Sequence, residues 1–203
     1  MHLTDPRAIR ALAHPLRLDL LELLGGISPA TAARCAEVLG VSHASASYHL
    51  RQLAKYGFVE EGEPTADQRE RPWRIVSRSQ VPVTGPGPAT DELSRVSVER
   101  EATKILEWID RRGTEPPDWQ EAAFLIGGTL PMTSQELATV SRQIAAVLEP
   151  YRDRVSDSGR PTLPPGGRWV RLHLAGTPYP ELDLPELEPT TRPEGDSDDR
   201  ADP

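Results

Sequence analysis

Hydrogen-bonding and cationic side chains are concentrated between residues 42 and 55. Three serine hydroxyls and the planar guanidinium of Arg51 in this segment can bind phosphates or base edges. No aspartate or glutamate occurs from Val38 to Val59. A surface that binds a polyanion needs such a local excess of positive charge, because much of the affinity comes from neutralising phosphates. These residue types predict nucleic-acid binding.

Short helices are predicted to position this segment. Asp5-Pro6 combines a cap with a proline at the first helical position, and Pro15 starts a second helix that ends at Gly25-Gly26. Ser28-Pro29 starts a helix over 29–39, and Ser42 caps the next one, over 42–56. Gly40 lies in the turn between these two, where it allows a positive φ. The pattern predicts a helix-turn-helix whose second helix enters a DNA major groove.

A β-hairpin is predicted directly after these helices. Two short strand-like runs, at 58–60 and 73–76, flank a polar stretch that is rich in turn residues. This hairpin, over 58–77, would form a wing against the phosphate backbone. Arg69 and Arg71 lie near its tip and suit a phosphate or minor-groove contact.

The second half of the chain predicts a separate module. A linker rich in proline and glycine precedes a helix over 90–112, in which Val98, Ala102, Ile105 and Ile109 form a short coiled-coil-like seam. A capping box at Thr133–Glu136 starts another helix, which ends near Pro150. Residues 168–174 alternate between apolar and polar, which predicts a strand paired with 121–126.

The fold class that follows is mainly α with a small β component (α+β). We expect a winged helix-turn-helix domain over 1–80, a linker over 81–89, a dimerisation and effector region over 90–180, and a disordered acidic tail over 181–203. The tail is predicted to be disordered because it holds nine acids, many prolines and no aromatic residue.

Composition excludes several classes of protein. The 203 residues carry a formal charge of −8, but residues 1–83 hold 10 basic and 9 acidic residues, so the acidity lies elsewhere. No apolar run is long enough to span a membrane, and the first residues lack the apolar core of a signal peptide. With one cysteine, Cys35, the chain has no internal disulfide. We expect a cytoplasmic protein.

An enzyme is not expected either. Residues 84–180 contain one histidine, no cysteine and no glycine-rich phosphate loop, so a nucleophile with its base is missing there.

The first 80 residues resemble a known family. The segments LAHPLRLDLLELL, AEVLGVSHASASYHLRQLAKYGFVEE and RERPWRIV occur in this order and resemble the ArsR-type winged-helix transcriptional regulators. Residues 84–180 resemble C-terminal extensions of actinobacterial members. The resemblance implies a homodimeric repressor that binds double-stranded DNA at an inverted repeat, with the first helix and the helix over 90–112 at the dimer interface. The DNA-binding residues it implies, with the basic residues of the following turn and wing, are Ser42, His43, Ser45, Ser47, Tyr48, His49, Arg51, Lys55, Arg69 and Arg71.

The metal-sensing pattern of this family is not matched. Metal-sensing members carry a Cys-x-Cys on the helix before the recognition helix, where this chain has Thr31-Ala32-Ala33. No histidine lies between His49 and His173, so we expect no metal and no cofactor. Cys35 is interpreted as a buried packing residue. An unidentified small-molecule effector stays open.

Alternatives remain for single residues and for the whole domain. Ser42 is also explained as a pure helix cap, and His49 as a packing residue. Trp108 and Trp119 are better explained by packing than by a ligand pocket. The modest charge of residues 1–83 leaves open a winged helix that binds protein and does not read DNA.

Overall fold

The computed structural model describes residues 5–63, 71–76, 87–152, 154 and 163–179. Within these residues the chain is mostly helical and contains a two-stranded sheet. The elements are α1 (Pro6–Leu12), α2 (Pro15–Ile27), α3 (Ala32–Leu39), α4 (His43–Lys55), β1 (Val59–Glu61), β2 (Trp73–Ile75), α5 (Pro88–Arg111), a 3₁₀ turn (Arg112–Thr114), α6 (Pro117–Ala122) and α7 (Ser134–Arg152). The expected fold class, mainly α with a small β part, is confirmed.

Side-chain caps define where the first helices begin. The Asp5 carboxylate accepts the Arg7 N–H at 2.8 Å, and His14 Nδ1 accepts the Leu16 N–H at 3.2 Å. These caps confirm the predicted starts of α1 and α2. The predicted end of α2 at Gly25-Gly26 is wrong: the helix continues to Ile27, because two glycines weaken a helix without ending it when packing supports it.

The start of α3 also differs from the prediction. The helix begins at Ala32, where Thr31 Oγ1 accepts the Arg34 N–H at 3.2 Å. Ala30 is extended and pairs with Trp73 through two backbone hydrogen bonds, of 3.0 and 2.8 Å. Residues 29–31 therefore brace the sheet, and the predicted helical start at Pro29 is wrong because Ala30 is bound to β2.

The core lies in the first half of the chain. Leu20, Leu24, Leu50, Leu53, Val59 and Cys35 are fully buried. Helix α3 packs against α4, and α1 packs against α5. Every buried residue in the described part of the chain lies between Ala8 and Leu93. The N-terminal domain together with the start of α5 is thus a packed unit.

The interpretation of Cys35 as a packing residue is confirmed. Its side chain is fully buried, and burial raises the pKa of the thiol to about 11. A thiol with so high a pKa stays protonated near neutral pH and is a poor nucleophile.

The wing is confirmed as an antiparallel hairpin. Val59 lies opposite Ile75, and Glu61 lies opposite Trp73. Val59 and Trp73 are buried and fasten the hairpin to the helices. Residues 64–70, the predicted tip, lie outside the described residues, as do 77–86.

The long helix α5 begins at Pro88, so the last two residues of the predicted linker are helical. The apolar residues of α1 (Ala8, Ile9, Ala11 and Leu12) are buried within the chain. The apolar side of α1 is therefore covered within its own chain, and the expectation that α1 contributes to a dimer interface stays a prediction.

The predicted strand pair in the second half is wrong. Residues 117–122 form α6, and neither 123–132 nor 163–179 contains a strand. Residues 163–179 are instead held through charged side chains. Arg171 bonds to Glu101 on α5 at 3.0 Å, and Arg168 bonds to Glu115, just after the 3₁₀ turn, at 2.7 Å. An alternating pattern specifies a strand only if a neighbouring strand is present to pair with it.

Helix α7 begins directly after the predicted capping box and ends two residues beyond Pro150. The Thr133 N–H donates to the Glu136 carboxylate at 2.7 Å, and the Glu136 N–H donates to Thr133 Oγ1 at 3.2 Å, which confirms the capping box. Pro150 lies inside the last turns, and the helix ends at Arg152. The predicted tail over 181–203 lies outside the described residues.

Candidate nucleic-acid interface

The turn between α3 and α4 fixes the direction of α4. Gly40 ends α3 with φ of 65°, a left-handed conformation that glycine adopts without strain. The Val41 N–H then donates to the Ala36 carbonyl at 3.0 Å. Ser42 Oγ accepts the Ser45 N–H at 3.1 Å and caps α4. The capping role of Ser42 is therefore real, whatever else its hydroxyl contacts.

Helix α4 has one buried side and one exposed side. Ala46, Leu50 and Leu53 are fully buried in the domain core. Tyr48 lies on the opposite side with 55% of its surface exposed, and Arg51 and Lys55 are exposed as well. The outward surface of α4 thus presents one aromatic and two cationic side chains.

The predicted site residues fall into three groups. Ser42, His43, Tyr48, Arg51 and Lys55 are exposed along α4 or at its cap. Ser45, Ser47 and His49 are half-buried. Arg71 lies on the wing, and Arg69 lies outside the described residues. One helix therefore brings together eight of the predicted residues, Ser42 included as its cap, and the wing adds Arg71.

Arg51 lies along its own helix. Its Nε donates to the Ser47 carbonyl at 3.1 Å. The guanidinium has two further nitrogens that can form the paired hydrogen bonds by which arginine binds guanine or phosphate. Lys55 lies nearby, with its Nζ 5.7 Å from the centre of the Tyr56 ring.

His49 packs against the start of α2. Its ring centroid lies 4.3 Å from that of His14, and Tyr48 meets it edge-on at 5.1 Å. Burial lowers the pKa of His49, and the nearby His14 and Arg17 lower it further. Burial, followed by the charge of Arg17, also lowers the pKa of His14. Both rings are therefore held in the neutral form near pH 7, which supports the packing interpretation of His49.

In the described part of the wing, both arginines are paired with carboxylates. Arg71 lies 3.4 Å from Glu61, and Arg74 lies 2.9 Å from Glu60. Because each arginine has a carboxylate partner, the stem of the wing offers less positive charge to a polyanion than the outer side of α4.

Three arginines near α4 were missed by the sequence reasoning. Arg7, Arg10 and Arg17, on α1 and α2, line a shallow depression together with Gln52 and Tyr56. The three-residue spacing of Arg7 and Arg10 was a usable signal, since residues i and i+3 share one face of a helix. Their position beside α4 depends on tertiary packing.

Within the described residues, no group of three or more histidine, cysteine, aspartate or glutamate side chains has an arrangement that could hold a metal ion. The helices described here are too short or too polar to cross a membrane.

A family model and several solved structures match parts of this chain. Residues 12–62, which run from the end of α1 to just past β1, match a family described as a helix-turn-helix domain. A mutant of Lactococcus lactis ZitR in its apo form is 19% identical; the match covers 69% of this chain and 83% of that chain, with a TM-score of 0.30. A transcriptional regulator from Thermotoga maritima, Tm0710, is 15% identical; the match covers 69% of this chain and 79% of that chain, with a TM-score of 0.30. A search of curated proteins finds no match.

Proposed function

We propose that this chain is a sequence-specific, DNA-binding transcriptional regulator of the ArsR type. The observation that carries the proposal is the charge and exposure of α4. Tyr48, Arg51 and Lys55 point away from the core, and the sequence from Val38 to Val59 has no carboxylate. A B-DNA major groove is about 12 Å wide and admits one α-helix. The outer side of α4 would read base edges there.

A homodimer is the second part of the proposal. Val98 lies five residues from the buried Leu93, which is about 140° around a helix of 3.6 residues per turn. Val98 is 54% exposed and Leu106 is 61% exposed, so this side of α5 is apolar and faces away from the core of its own chain. A second copy of the chain would cover it. Two-fold symmetry would then place two copies of α4 about one DNA turn apart, on an inverted repeat.

Repression is the expected outcome where such an operator overlaps a promoter.

A site for an unidentified small-molecule effector would lie in the part of the chain that starts with α5. The described residues of that region leave Phe124, Leu125 and Ile126 exposed, which offers apolar surface for a ligand or for a partner subunit.

Selection of bound duplexes from a random pool tests the proposal. Purified full-length chain is mixed with the pool at physiological salt, and the retained DNA is sequenced after several rounds. We expect an enriched inverted repeat whose half-sites are about 10 base pairs apart, centre to centre. Enrichment of no sequence by a folded protein would contradict DNA reading and favour the protein-binding winged helix.

A further inference from the structure

A basic depression lies beside the outer surface of α4. It has a volume of about 250 Å³ and is lined by Arg7, Arg10, Ala11, Arg17, Gln52 and Tyr56. Three of these six residues are arginines and none is a carboxylate. The depression is open to solvent, and Arg7 and Arg10 are exposed at its edge. Such a shape suits an extended anionic ligand better than an enclosed small molecule.

Arg17 lines this depression and is partly buried. Its Nε is buried and has no hydrogen-bond partner in the part of the chain that the structure describes. Glu92 is close enough to interact with its charge but forms no hydrogen bond with that nitrogen. Arg17 adds its positive charge to those of Arg7 and Arg10 around the depression, which favours an anionic ligand there.

The depression is continuous with the proposed DNA-reading surface. Gln52 belongs to α4, one turn after Tyr48, and Tyr56 follows the last residue of that helix. The sugar-phosphate strands run along both edges of the major groove. Cations placed beside a groove-binding helix therefore face a phosphate strand and not the bases.

We propose that Arg7, Arg10 and Arg17 bind the DNA phosphate strand that borders the groove on the α1 side of α4. This inference rests on the proposed function, since it assumes that α4 enters the groove. It assigns α1 and the start of α2 to binding that depends on charge and is independent of sequence. The three arginines would set affinity and register, while α4 would set sequence preference.

The salt dependence of binding tests this assignment. A labelled duplex of random sequence is titrated with the full chain between about 50 and 200 mM salt, because log K falls linearly with log salt at about 0.9 per phosphate neutralised. The test variants are the double substitution R7Q/R10Q and the single substitution R17Q. The matched control is R112Q/R142Q, which removes two exposed arginines outside the winged helix.

We expect the R7Q/R10Q slope to be smaller than the wild-type slope by about 2, and the R17Q slope by about 1. The control should keep the wild-type slope. R7Q/R10Q changes only exposed positions, so the test survives even if R17Q fails to fold. Circular dichroism verifies the fold of each variant.

Two results would overturn the inference while leaving the proposed function intact. One is a wild-type slope in R7Q/R10Q when the wild type binds DNA. The other is that inorganic phosphate protects Arg17 from chemical modification while the slopes of all variants are equal, which would identify a free-anion site. If the wild type binds no duplex at all, the proposed function itself fails.

Discussion

The imidazole of His49 packs against that of His14, with ring centroids 4.3 Å apart and planes tilted by 41°. His14 also caps α2 through Nδ1, which accepts the Leu16 N–H only when that nitrogen carries no proton. The ring pair thus joins the helix proposed to read DNA to the start of the helix beneath it. Burial favours the neutral form of both rings, so we expect this contact to weaken in mild acid.

Stability should fall in mild acid because of these two histidines. Burial lowers the pKa of both in the folded chain relative to the ordinary value of 6.5. Above that value both states are neutral and the full stability is present. As the pH falls below about 6.5, the unfolded chain takes up protons that the folded chain refuses, so the free energy of unfolding decreases.

Urea unfolding of the wild type and of H14N at about pH 7.5 and about pH 5.5 measures this effect. Asparagine keeps a side-chain cap and removes one titrating ring. The wild type should lose more stability than H14N between the two conditions. An equal loss in both proteins would show that the ring pair does not cause the pH dependence.

Substitutions at Ser42 separate its capping role from DNA contact. S42A should lower the free energy of unfolding by about 1 kcal/mol, since the Ser45 N–H loses its acceptor. S42D keeps a cap and should retain stability near that of the wild type. If Ser42 also lies against phosphate, the added carboxylate of S42D should weaken binding to duplex DNA more than S42A does. Equal DNA affinities for the two variants would indicate a pure cap.

The apolar side of α5 should control assembly. V98E places a charge on a side chain that is 54% exposed, so folding should persist while a dimer dissociates. T103E is the matched control, because Thr103 is exposed on the same helix about 140° away from Val98. Sedimentation velocity of both variants at equal concentration gives the oligomeric state. A dimeric V98E would place the interface elsewhere.

Arg100 should contribute strongly to stability. Its side chain is 9% exposed and bonds to Asp19 at 2.8 Å, to Glu101 at 2.6 Å and to Glu22. R100M would remove the guanidinium that these three carboxylates share, although Glu22 and Glu101 would keep their contacts with Arg171. We expect a loss of about 2 kcal/mol in the free energy of unfolding.

K104M is the control for Arg100. Lys104 is on the same helix and lies 3.4 Å from the exposed carboxylate of Glu107. An exposed pair of this kind contributes less than about 1 kcal/mol. If R100M and K104M unfold at the same urea concentration, the ionic contacts between α2 and α5 are not stabilising.

Much of the winged helix could be predicted because its signals are local. Asp5, Ser42 and Gly40 act on the backbone within a few residues. The prediction of where α3 begins was wrong because Ala30 pairs with Trp73, 43 positions later in the chain. No local pattern around Ala30 contains that information.

The structure of the second half of the chain was harder to predict because it also depends on contacts between residues that are distant in the sequence. The alternation over 168–174 is real, but Arg171 is held by Glu101 on α5 and Arg168 by Glu115 just after the 3₁₀ turn, and neither is held by a neighbouring strand. Val170 and Leu172 are left exposed. The site shows a similar contrast: α4 follows from spacing along one helix, whereas the depression formed by Arg7, Arg10 and Arg17 exists only after α1 and α2 pack beside α4.

The comparison of wild type and R51A on the selected duplex tests the central claim most directly. Fluorescence anisotropy gives the affinity of each protein for that duplex and for a scrambled one, with K104A as the control. We predict that R51A folds normally and loses about 1–3 kcal/mol of specific binding, with relaxed preference for the selected sequence. Unchanged affinity and preference in R51A would contradict the placement of α4 in the groove.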